Sequence, residues 1–107
     1  MTEDFSLRIE DIFTIIGLGT LVVGTVQSGI GRVGEEAVVV QGDKELKTTI
    51  IKIDRQMKIR NVDNIAYATE YVGLGLRGIQ KEQLHIGGQV VVRNANQYVM
   101  QSARPMV

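Results

Sequence analysis

The sequence predicts an all-β domain closed into a barrel. Apolar and polar residues alternate with a period of two along most of the chain, and glycine sits inside these runs as well as between them. No stretch reads as a long helix, which leaves sandwich or barrel as the architectures. Glycine inside strands favours the closed barrel, because it is the device by which tight barrels bend.

The elements follow in order. Leu7, Ile9, Asp11 and Phe13 alternate with Arg8, Glu10 and Ile12, the pattern of a strand with one face in a core. From Thr20 to Val26 β-branched residues dominate, punctuated by Gly17, Gly19 and Gly24 around the run. Ser28-Gly29-Ile30-Gly31 reads as a turn and Ala37 to Gln41 as a short buried strand. Gln41-Gly42-Asp43-Lys44 marks the next turn. Thr48, Ile50, Lys52 and Asp54 then alternate with Thr49, Ile51, Ile53 and Arg55 in a long two-faced strand. Met57 to Thr69 reads as a loop with some strand, anchored by Ile59, Val62, Ile65 and Tyr67. Tyr71 to Arg77 is a strand, Lys81 to Leu84 a single helical turn, and Gln89 to Arg93 a last strand after Gly87-Gly88. The domain is expected over residues 5–93. A tail of different composition, 94–107, is either disordered or an extra strand that closes a sheet edge or pairs with another copy.

Composition bounds the function. At 107 residues, with 44% hydrophobic residues and one proline, the chain is one folded domain able to bury a core without disulfides or metal. It has no cysteine, which removes thiol chemistry and Cys-based zinc sites. The acidic start Met1-Thr2-Glu3-Asp4 is followed by no apolar signal core. The window Ile15 to Val26 is broken by Gly17, Gly19 and Gly24 and falls short of the roughly 20 residues a transmembrane helix needs. A soluble cytoplasmic protein with no membrane partner is expected.

Twelve Lys plus Arg balance twelve Asp plus Glu, so a strong non-specific grip on nucleic acid is not expected. The distribution is uneven. Glu3, Asp4, Glu10 and Asp11 crowd the N-terminus, Lys44, Lys47, Lys52, Arg55, Lys58 and Arg60 outnumber Glu45 and Asp54 in the middle, and no acid follows Glu82. An ordinary solvated strand face and a modest RNA-facing patch both fit this pattern.

Catalytic motifs fail in context. Gly29-Ile30-Gly31-Arg32-Val33-Gly34 matches G-x-G-x-x-G, but its last glycine opens the strand-like Glu35 to Val40 instead of the helix that would hold a pyrophosphate. Gly19 and Gly24 have phosphate-loop spacing, yet Thr25-Val26 stands where Lys-Ser/Thr is needed. His85 is the only histidine, which excludes a multi-histidine metal site. Glu10-Asp11 and Glu35-Glu36 are strand neighbours and point to opposite faces. No enzyme activity, cofactor or metal is expected.

One resemblance joins the separate motifs. Asp11-Ile12-Phe13-Thr14-Ile15, the Gly17-x-Gly19-Thr20 turn, Gly24, Ser28-Gly29 and Val33-Gly34-Glu35-Glu36 are followed by Val72-Gly73-Leu74, Leu76-Arg77-Gly78-Ile79 and Gly87. In this order, from about Phe5 to Val92, the chain resembles the second, β-barrel domain of the translational GTPases related to elongation factor Tu, here without the GTP-hydrolysing domain. The resemblance implies a six-stranded Greek-key barrel of the translation-factor (reductase/isomerase/elongation factor) type. In that family the barrel packs on the GTPase domain, touches small-subunit ribosomal RNA and, in tRNA carriers, cradles the aminoacylated 3′ end. Leu18 and Thr25 sit where the family often has arginine, and Tyr71 where it often has asparagine, so donors for the tRNA end are missing.

What the resemblance implies is a non-catalytic, stand-alone binding module that contacts RNA, the ribosome or a protein partner. Its contact residues would be Arg77, the turn Gly17, Leu18, Gly19 and Thr20, and Tyr71; the bland role for Arg77 is pairing with a carboxylate such as Asp11. Two other readings stand beside it. One is an assembly protein that forms homo-oligomers through 94–107. The other is a remnant or barrel subunit working with a translational GTPase encoded elsewhere.

Overall fold

The computed structural model describes residues 4–55 and 65–93. Six of its strands close into an antiparallel barrel: β1 (Phe5–Ile15), β2 (Gly19–Ser28), β4 (Glu36–Gln41), β5 (Lys44–Arg55), β7 (Tyr71–Leu76) and β8 (Gln89–Val92). Around the barrel the order is β1-β2-β7-β5-β4-β8, and β8 pairs with β1 to close it. β4, β5 and β7 are successive antiparallel neighbours, and β8 returns to lie beside β4, which is a Greek key. The short strands β3 (Ile30–Arg32) and β6 (Ile65–Tyr67) form a separate two-stranded ribbon. Among the described residues the helical structure is one 3₁₀ turn, Lys81–Gln83, and no helix is long and apolar enough to cross a membrane.

The core is the inside of the barrel. Phe5, Leu7 and Ile9 of β1, Val22 and Val26 of β2, Val39 of β4, Ile50 of β5, Val72, Leu74 and Leu76 of β7, and Val90 and Val92 of β8 are buried together. Alternation selects most of these residues, as the sequence pattern requires, with corrections in β1 and β5. The expected face Leu7, Ile9, Asp11, Phe13 does not persist, because the register with β2 slips between Ile9 and Asp11. This bulge at Glu10 turns Ile12 inward and leaves Asp11 and Phe13 outside. Gly24 accommodates the bulge: a Cβ there would collide with the Arg8 carbonyl. The Ile9 backbone is also fixed by exchange with the Gly87-Gly88 turn, with Ile9 N–H donating to Gly88 O and Gly87 N–H to Ile9 O, both at 2.8 Å.

β5 shows the same device. Its first half pairs with β4 and its second with β7, with a slip between Ile50 and Lys52 that lets one long strand serve both neighbours; the expected face Thr48, Ile50, Lys52, Asp54 therefore ends at Ile50, and Ile53 turns inward in its place. The expected turn at Ser28 to Gly31 is shorter than the sequence suggested. Gly29 alone turns, with φ of 70°, and Ile30 to Arg32 form β3. Gly31 lies under the Phe5 ring, where a Cβ would come within 2.8 Å of it. Within the expected loop Met57 to Thr69, Ile65–Tyr67 is strand β6; residues 56–64 and the tail 94–107 lie outside the described residues.

Candidate basic groove

The outer surface of β5, β4 and β8 forms a shallow groove of about 540 Å³. Its floor is set by cross-strand register: Val38 of β4 lies between Lys47 of β5 and Val91 of β8. Thr49 and Glu36 form the neighbouring rung, and Arg77 and Arg93 line the margins. Two half-buried valines with cations beside them give an apolar floor and charged walls.

Arg77 is the best-positioned of these cations. It follows β7, and both its carbonyl and its N–H are held by β5. The Thr48 hydroxyl donates to Arg77 O at 2.7 Å, and Arg77 N–H donates to Thr49 O at 3.1 Å. Two residues on, the buried Thr20 hydroxyl donates to Ile79 O at 2.6 Å. The Arg77 side chain itself is exposed, and among the described residues it has no hydrogen bond or ion pair. Asp11 is not its partner; the Asp11 carboxylate accepts from the Ile12 N–H at 3.0 Å. Lys47 is likewise without a partner among the described residues.

Arg93 differs. Its guanidinium donates to both Glu45 carboxylate oxygens, at 3.1 and 3.5 Å, in a solvent-exposed pair. That hydrogen bond, and the Glu45 charge behind it, hold the Arg93 pKa above its already high ordinary value. Arg93 is thus oriented but half-neutralised, while Arg77 and Lys47 are fixed at their backbones and free at their charges. An anion seated over Val38 gains both cations without breaking an existing pair. Glu36 lines the same groove, so its local field is positive but moderate.

The other sequence-derived contact residues are dispersed. The β1–β2 turn adjoins Arg77, since Thr20 pairs with Leu76, but Thr20 points inward and its hydroxyl already serves Ile79. Leu18 lies over Gly75 on the barrel's outside. Gly17 and Gly19 have positive φ, 88° and 113°, and shape the turn. Tyr71 stands at the opposite end of β7, paired with Thr25, about 16 Å from Leu76 at the usual rise per residue. Thr25 donates its hydroxyl to Glu10 at 3.0 Å.

The other motifs resolve into structure. Gly34, the last glycine of G-x-G-x-x-G, has φ of 99° and leads into β4, so no helix follows it. His85 donates its backbone N–H to Gln41 Oε1 at 2.6 Å, in the turn that Gln41 ties to Gln83. Among the described residues no group of three or more His, Asp or Glu is placed to hold a metal. Sequence reasoning placed Lys47 in a basic segment read as a possible RNA-facing patch, but missed Val91 as a groove residue. The alternation Glu45, Lys47, Thr49 carried the signal for one outer face, but nothing linear brings β8 beside β4. No protein-family model matches the chain.

Proposed function

We propose that this domain is a non-catalytic binding module whose basic groove holds the phosphate backbone of RNA. One observation carries the reading: Arg77 and Lys47 present unpaired cationic heads over a valine floor, on backbone immobilised by β-pairing and the Thr48 hydroxyl. Guanidinium matches phosphate in shape and charge, and a fixed backbone lowers the entropy lost on contact. The resemblance to the elongation factor Tu barrel, in which the domain touches ribosomal RNA, supports the same choice of ligand. A cytoplasmic location goes with this reading.

The test is fluorescence anisotropy with a labelled RNA hairpin and with purified ribosomal subunits at low salt. Arg77→Ala is expected to weaken binding about tenfold, and Lys81→Ala, outside the groove, to leave it unchanged. Absence of RNA and ribosome binding by the unaltered protein contradicts the reading.

A further inference from the structure

The turn joining β1 to β2 ends in an apolar knob. Leu18 N–H donates to Ile15 O at 3.0 Å, Gly17 adopts φ of 88°, and Ile16 is left 99% exposed at the apex. Phe13 and Ile15 behind it are 43% and 40% exposed, and Leu18 is partly so. No charged residue occurs from Ile12 to Gly31. A single exposed isoleucine is ordinary on a protein surface, whereas four apolar side chains on one strand end and its turn form a patch that calls for an occupant.

On the outer sheet face behind this knob, cations and acids stand on different rungs. On the outer face, beyond the Ile15–Gly19 pair, the first rung to cross four strands runs Phe13, Leu21, Gly75, Lys52. Gly75 leaves room there: the space a Cβ would fill is 3.3 Å from Leu18 Cδ1 and 3.2 Å from Lys52 Cβ, so the lysine stem lies beside the knob. Arg77 follows Leu76, the partner of Thr20, and also adjoins the turn. The acids Asp11 and Asp54 lie on the next rung, with Val23 and Gly73 between them. Along this face, among the described residues, apolar groups therefore come first, cations second and acids last. The surface of an anionic bilayer has the matching order: acyl chains, phosphates, then water.

From this order we infer that the β1–β2 turn docks on anionic phospholipid, with Ile16 at the acyl boundary and Lys52 and Arg77 at headgroup phosphates. This departs from the expectation of no membrane partner, and it does not depend on the RNA reading of the groove. The contact is peripheral and reversible, because so few side chains insert.

Vesicle co-sedimentation tests it, using phosphatidylcholine with about one-third phosphatidylserine and pure phosphatidylcholine as the neutral comparison. The protein is expected to bind the anionic vesicles more tightly than the neutral ones. Ile16→Ser is expected to weaken binding about tenfold, and Lys52→Glu several-fold. Ile16 is fully exposed, so its variant keeps the wild-type melting temperature. Three results overturn the inference: no vesicle binding by the unaltered protein, binding that Ile16→Ser leaves intact, or a dimer in light scattering that Ile16→Ser abolishes. The last would make the knob a contact between copies.

Discussion

Single side chains close this fold by reaching back to the backbone. In three turns the residue at i+3 accepts the N–H of residue i through its side chain: Glu35 from Arg32 at 2.8 Å, Glu70 from Tyr67 at 2.9 Å and Gln83 from Gln80 at 2.8 Å. In each, the backbone N–H of i+3 donates to the carbonyl of residue i, so a four-residue turn satisfies its own polar groups. Thr20 and Thr48 instead donate their hydroxyls to the carbonyls of Ile79 and Arg77, residues distant in sequence. Thr20→Val keeps the shape but leaves the Ile79 carbonyl without this donor in a buried place. It is expected to cost about 1–3 kcal/mol in urea unfolding, with Thr20→Ser close to wild type. Gly31→Ala drives a methyl group into the Phe5 ring and is expected to cost about 1–3 kcal/mol by the same measurement. Little of this was legible in the sequence. Thr20 reads as an exposed turn residue beside two glycines, and nothing in linear order reveals a carbonyl fifty-nine residues away that takes its hydroxyl hydrogen.

At the scale of elements, period-two alternation located most of the strands, because one face of each strand must enter the barrel. It misassigned faces where a bulge intervened. The stretch from Ile9 to Ile15 is apolar at positions of both parities, so the pattern cannot mark the extra residue at Glu10. The structure makes a definite distinction here: Ile12 is a core residue and Phe13 is outside. Ile12→Ala is accordingly expected to cost about 2–4 kcal/mol, and Phe13→Ala less than about 1.5 kcal/mol, in parallel urea melts. Equal losses would place both on one face and remove the bulge. β3 was also illegible, since a three-residue strand is too short to show a period and Gly29 and Gly31 mimic a turn, whereas β6 was legible only as some strand within a loop.

For the whole molecule, closure explains how a chain of this size does without disulfides. Pairing β8 with both β1 and β4 leaves no free barrel edge, so backbone groups are satisfied within the ring and a single apolar interior is enclosed. That architecture was legible from glycine inside the strands and from the order of the motifs. The groove was not, because it depends on β8 crossing to lie beside β4 and on Arg77 reaching over from the end of β7. A chain with no net charge nonetheless places two unpaired cations together, which overall composition conceals. The central claim is that these two cations meet RNA phosphates, and the salt dependence of hairpin RNA binding measures it directly. The logarithm of the binding constant should fall linearly with the logarithm of salt concentration, and the double variant Arg77→Ala, Lys47→Ala should lower the magnitude of that slope by about 2. An unchanged slope in the double variant would contradict the account and place any RNA contact elsewhere on the barrel.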